Sequence, residues 1–263
     1  MQVVKNNIET GGESAKAAIK GTAIMTKDAE QFSTKYGISV QKISEGYLDL
    51  VKRGYDSNQA IGSMNTLLQG SIASGDDFND VIKVTTSTLE SFNMRSSSTA
   101  GMMKNTTEVT NKLAFVADKT STGFQDLGIG MSYVGGSAYQ AGLSLSETAS
   151  SMGLLSNNGL EADKAGTGLR KVINSLVSPT KTGQAALDEY GISIKDANGQ
   201  MRPLSNIMGQ FQQKLSGLSK TKKLDLFHGM FGTTGQQAGL ILEENGNKIG
   251  ELADETDRAA KSN

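Results

Sequence analysis

The chain has 263 residues, no cysteine and nearly balanced charge, 26 Lys and Arg against 27 Asp and Glu. These facts exclude a disulfide framework and a thiolate metal site, and they argue against a basic nucleic-acid surface or a polybasic membrane anchor. Glycine occurs 31 times and methionine 11 times, while tryptophan is absent and aromatics make up 5 %. A core built from Ala, Leu, Ile, Val and Met with few rings suits close helix packing.

Residues 1–37 read as helix interrupted at Gly11-Gly12, with no secretory-type apolar segment after Met1. From Ser39 a stripe of Val40, Ile43, Tyr47, Leu48 and Val51 marks a helix that ends at Lys52-Arg53-Gly54. Asp56 and Gln59 have the spacing of a capping box, followed by Ala60, Ile61, Met64, Leu67 and Leu68 on a buried face. Gly75-Asp-Asp77 opens a further helix through Phe78, Val81, Ile82, Leu89 and Phe92, its acidic residues lying at the positive end of the helix dipole. Residues 94–105 are rich in Ser, Met and Gly and read as a flexible connection. Val109, Leu113, Val116 and Ala117 form the next helical face, and Thr120-Ser-Thr-Gly123 starts a segment through Phe124, Leu127, Met131, Tyr133 and Val134. Its glycines at 128, 130, 135 and 136 each cost a helix about 1 kcal/mol relative to alanine, so they mark close packing or a kink.

Gly142–Pro179 reads as two helices broken at Ser156-Asn-Asn-Gly159 and stopped before Pro179. Ser144 and Glu147 repeat the capping-box spacing, with Leu145, Thr148, Ala149, Met152 and Leu155 on one face. Ala165, Leu169, Val172, Ile173 and Leu176 line the second helix. Gly54–Met64 (GYDSNQAIGSM) aligns without gaps on Gly142–Met152 (GLSLSETASSM), which reads best as one capping solution used twice, with internal duplication as the alternative. After a short helix over 182–190, Ile192-Ser-Ile194-Lys alternates apolar and polar, Asp196-Ala-Asn198-Gly199 carries an Asn-Gly turn, and Gln200-Met201-Arg202 would return as a second strand. Leu204, Ile207, Met208, Phe211, Leu215 and Leu218 then form a clean amphipathic helix, and residues 219–230 and 233–244 add two more around Phe231–Gly235.

The expected fold is therefore mainly α, a multi-helix domain of short amphipathic helices with one small β-hairpin near 192–202. The expected organisation is an N-terminal helical segment 1–37, a helical subdomain 38–93, a flexible connection 94–105, a core helical domain 106–245, and a polar tail 246–263 cut from a longer chain. No apolar run approaches the roughly 20 residues of a bilayer span, so the chain is expected to be soluble.

Residue chemistry points to no catalytic, cofactor-binding or metal site. His228 is the sole histidine, beside Phe227 and Met230, and reads as a packed or surface residue. Gly128-x-Gly130 lacks the dinucleotide fingerprint and its βαβ setting. Gly166-Thr-Gly168-Leu-Arg170-Lys171 lacks the Walker spacing, and helix packing through small residues explains it better. Asp196-Ala-Asn198-Gly199 lacks the ligand series of a calcium loop. Asp76-Asp77 and Glu243-Glu244 read as dipole-favouring or solvated charges. No pair of carboxylates stands out for glycoside hydrolysis.

An ordered set of motifs says more. AFVADKT at 114–120, Phe124-Gln-Asp-Leu-Gly128, Tyr133-Val-Gly135, Gly142–Thr148, Leu154–Leu160, Ala165–Arg170 and Ser178-Pro-Thr180 follow one another, then LDEYGISIKDA at 187–197, Asn198–Leu204 and LFHGMFGTT at 226–234. Together these resemble the core region of phage tail tape-measure proteins, over roughly residues 35–245. The resemblance implies a non-enzymatic structural protein lying in the tail-tube interior of the virion after assembly in the host cytoplasm. It would template tube polymerisation and set tail length, since a helix advances 1.5 Å per residue. The implied partners are the tail tube protein, tail-assembly chaperones and tail-tip or baseplate proteins, with no specific nucleic acid. Two alternatives stay open: a helical docking module of a prophage tail tip or contractile device without a length-setting role, and a cell-wall hydrolase.

Overall fold

Helix starts and stops in this chain are written locally, and the computed structural model, which describes residues 1–261, follows them closely. Thirteen α-helices are present among the described residues: α1 (Gln2–Thr10), α2 (Ala15–Tyr36), α3 (Val40–Lys52), α4 (Ser57–Ser74), α5 (Phe78–Ser91), α6 (Thr99–Lys119), α7 (Phe124–Gln140), α8 (Leu145–Asn157), α9 (Ala162–Val177), α10 (Lys181–Tyr190), α11 (Leu204–Lys214), α12 (Lys220–Glu244) and α13 (Gly246–Lys261). None is long and apolar enough to cross a membrane. Ser14, Ser39, Ser144, Thr180 and Ser219 each accept a backbone N–H at a helix start, and Asp56 with Gln59 forms the full reciprocal capping box.

The echo between residues 54–64 and 142–152 is a shared corner. Gly54 has φ +83° and Gly142 φ +82°, a left-handed conformation that glycine alone adopts without penalty. In the first corner the N–H of Gly54 bonds Val51 O and that of Tyr55 bonds Leu50 O. In the second, Gly142 bonds Tyr139 O and Leu143 bonds Ala138 O. Tyr55 and Leu143 are buried, supplying the apolar contact that accompanies such C-caps, and the next residue is the N-cap of the following helix. A helix end and a helix start thus share three residues.

The chain divides into two compact units, one of Met1–Glu90 with Met94–Thr110 and one of Ser91–Asn93 with Asn111–Asn263. In the first, α2 packs on α1, α3 and α4. Close approaches are made over small residues: a Cβ on Gly46 would meet the Phe78 ring at 2.6 Å, and one on Gly21 would meet Ser57 Oγ at 2.6 Å. Within 94–105, residues from Thr99 onward are helical. Arg95 donates to the carbonyls of Arg53 and Gly54 and so closes the C-terminal end of α3. The buried Tyr55 hydroxyl meets Thr106 Oγ1 at 3.0 Å.

In the second unit α9 lies between α7 and α12, and α8 packs on α7, α9, α12 and α13. The sequence presents α8 as amphipathic, yet every residue from Leu145 to Leu155 is buried. Its small polar side chains make this possible by bonding their own backbone, as Thr148 does to Ser144 O and Ser151 to Glu147 O. The segment 246–263 is helical through Lys261, with Ile249, Ala253 and Thr256 buried, and its last two residues lie outside those described.

The expected hairpin near 192–202 is absent, and no β-strand occurs among the described residues. One isolated antiparallel bridge pairs Lys195 with Met201. The arms are too short for a ladder, because Gly191 caps α10 and Pro203 already stands at the start of α11. Asp196 instead closes the turn through its side chain, accepting from the amides of Asn198 and Gln200. Gln210 pins the loop to α11 by a reciprocal pair of hydrogen bonds with the Ser193 backbone.

α12 folds back on itself at Gly232, where the sequence suggests a break between two helices. Lys223 Nζ lies 2.8 Å from Glu243 Oε1, and Gln236 Nε2 donates to Leu224 O. In a straight helix residues 223 and 243 would be about 30 Å apart. Gly232 has φ +64° and ψ −176°, a region essentially reserved for glycine. A Cβ there would meet only Lys171 Cε, at 3.9 Å, so the requirement is conformational and not spatial. Gly232→Ala is expected to cost about 2 kcal/mol, read as a lowered midpoint in chemical denaturation. A midpoint equal to the parent's would show that the reversal does not need glycine.

Candidate functional site

None of the chemistry-bearing motifs assembles a reactive centre. His228 is exposed on the first arm of α12. Gly128 and Gly130 lie inside α7, and Gly166 and Gly168 inside α9, so neither pair forms a phosphate-cradling loop. Arg170 and Lys171 are exposed. The Asp196 carboxylate is engaged by backbone amides. Asp77 pairs with Lys42; the hydrogen bond from that ammonium, with the Asn79 amide, holds its carboxyl below the usual range. No cluster of three or more His, Asp or Glu side chains suited to a metal ion occurs among the described residues.

What the glycines do is pack. A Cβ on Gly166 would lie 2.5 Å from Gly130 O and 2.8 Å from Gly130 Cα, so α7 and α9 touch backbone to backbone. A Cβ on Gly168 would meet Ala238 Cβ at 2.8 Å and Thr234 O at 3.4 Å, so the second arm of α12 also packs closely on α9. Below this seam Phe211, Phe227 and Phe231 stack with centroids 5.6 and 5.4 Å apart. These three rings, all buried, form one aromatic cluster in an aromatic-poor protein.

Charged groups inside the second unit join helices that are distant in sequence. Glu147 does not complete the capping box its spacing suggests. Ser144 Oγ accepts from Glu147 N, but the Glu147 carboxylate accepts instead from the N–H and hydroxyl of Ser205, both at 2.7 Å. Ser205 is at the start of α11, whose N-cap is Pro203 and has no side-chain acceptor of its own. Glu147 therefore caps α11 from α8. That missing acceptor at 202–204 is the one signal in the sequence that a distant cap was needed.

Two further carboxylates are tied in. Asp257 on α13 accepts from the Ser146 hydroxyl and pairs with Lys112 Nζ at 2.9 Å. Burial pushes its carboxyl up, but the Ser146 hydrogen bond and the Lys112 ammonium outweigh this and hold it below the usual range. Glu243, which reads from sequence as a solvated charge, is 1 % exposed because the fold-back of α12 encloses it. Lys223 neutralises one oxygen, and Oε2 is left without a hydrogen-bond partner. This arrangement binds helices to one another; it offers no nucleophile, base and substrate cleft in mutual reach.

Comparison with known proteins agrees with the motif order. A family model described as phage-related minor tail protein matches residues 26–232. The tape measure protein of Pneumococcus phage Dp-1 is 29 % identical over 199 residues, which cover 76 % of this chain and 17 % of that protein. A probable tape measure protein of Escherichia phage P2 is 29 % identical over 132 residues, covering 49 % of this chain and 16 % of that protein. The chain thus spans about a sixth of the length of these relatives. No solved structure matches it. Spanned by the family model over most of its length, the chain belongs to the phage-related minor tail protein family.

Proposed function

We propose that this chain is the folded assembly body of a phage tail tape measure, the part that engages tail-tip proteins and around which tube polymerisation begins. The chain is a structural, helical phage-tail protein and not an enzyme. The observation that carries the finer reading is the tight helical corner. Gly54, Gly142 and Gly232 each turn the chain back after one helix, so residues are spent on lateral packing and not on length. The longest uninterrupted helix, α2 with 22 residues, extends only about 33 Å. In this reading the tail-tip or baseplate proteins, the tail tube protein and the assembly chaperones are the partners, and the tail of the virion is the destination. Length setting belongs to the parent chain as a whole.

The test is an in-frame deletion of residues 111–235 in the phage gene, with tails measured by electron microscopy. An assembly body predicts loss of tails, or tails of unchanged length. A ruler segment in extended helical form predicts intact tails shortened by about 190 Å, from 1.5 Å per residue. Proportional shortening would overturn the proposal.

A further inference from the structure

The second unit is not equally cohesive throughout. α9 buries Ala165, Leu169, Val172, Ile173 and Leu176 between two neighbours. α13 sits on α8 and α11 and buries only Ile249, Ala253 and Thr256 beyond its first residue. The surface it covers includes small and polar groups. Ser146 donates to Asp257, and Ser150, one turn along the same face of α8, is buried with its hydroxyl lacking a partner. On α11, Ser205 lies 3.4 Å from a Cβ placed on Gly250, and the Met208–Gly209 backbone meets Gly246. The close approaches of α9 to α7 and to the second arm of α12 involve no residue of α13, so α13 can lift without parting that seam.

We propose that α13 is a strap that opens as a unit of its own, latched by Asp257 to Ser146 and Lys112, while the rest of the second unit stays folded. Local opening of this kind is the rule for elements with few buried apolar contacts. The latch tunes how often it happens, because Asp257 gives α13 a charge-assisted contact to both Ser146 of α8 and Lys112 of α6. The inference concerns the folded chain alone and stands whether or not the chain acts as an assembly body.

Amide hydrogen exchange on the full chain, read by mass spectrometry at neutral pH, tests it. Amides of 249–259 are expected to exchange at least ~100-fold faster than those of 169–176, through an opening that leaves α9 protected. Asp257→Asn is expected to speed exchange in α13 roughly tenfold with no change in α9, and Ser146→Ala to do the same from the α8 side. Equal exchange of α13 and α9 in the parent would overturn the strap. So would variants that accelerate both helices by one common factor, since that is global unfolding.

Discussion

Replacing Gly166 with leucine is expected to lower the melting temperature of this protein by about 10 °C, the largest effect of any single substitution proposed for it. The clash is with backbone: even the first carbon of a side chain would sit 2.5 Å from Gly130 O and 2.8 Å from Gly130 Cα. No rotamer relieves this, so α7 and α9 must part along the seam where they pack. Overpacking a core costs 1–3 kcal/mol and more where backbone must move, so about 4 kcal/mol is expected here. At 2–4 °C per kcal/mol for a domain of this size, that is the shift stated. Gly136→Ala, a mid-helix site on α7 where a Cβ meets nothing within 4 Å, should instead raise the melting temperature slightly through helix propensity. A Gly166→Leu protein that melts with the parent would refute packing as the reason for these glycines.

The contrast between those two glycines shows where sequence reasoning reaches and where it stops. Both stand inside a helical pattern, and the sequence marks both as costly in a helix. Only the partner helix distinguishes them, and Gly130 is 36 positions from Gly166. Helix boundaries were legible because their determinants are local: Ser39, Asp56 with Gln59, Ser144, Gly54 and Gly142 each act within a turn of themselves. The break between two helices at 231–235 was legible for the same reason, though not that the second arm folds back on the first. The hairpin was misread because alternation and an Asn-Gly turn are local signals for pairing. Whether a ladder forms depends on arm length, and Gly191 and Pro203 leave none. α8 was misread because serine counts as polar in a periodicity analysis. Serine that bonds its own helix can be buried on every side, as Ser151 is. Membership of the tail-protein family was legible from the order of motifs, whereas nothing local in Glu147 revealed where its carboxylate goes.

That carboxylate is where the second large effect is expected. Glu147→Ala should destabilise the protein by about 3 kcal/mol, because two hydrogen bonds to a charged acceptor are lost together with the methylene packing. The Ser205 N–H would then stand at the start of a helix with Pro203 as N-cap and no other acceptor assigned to it. Glu147→Gln keeps one acceptor oxygen in place and should cost only about 1 kcal/mol. The same device appears in the first unit, where the Glu13 carboxylate accepts from both the N–H and the hydroxyl of Ser57 at the start of α4. There Asp56 already caps the helix, so Glu13→Ala should cost less than Glu147→Ala. A double-mutant cycle of Glu147→Ala with Ser205→Ala separates the bond from the cavity: the paired loss should fall short of the sum of the singles by more than 0.5 kcal/mol, the level at which contacting residues couple. Additive losses, or a Glu147→Ala protein with the denaturation midpoint of the parent, would mean that α11 holds its place without the carboxylate from α8. The cap would then be an accident of proximity, and the strongest polar link between the buried helix and the end of the second unit would have to be sought at Asp257 instead.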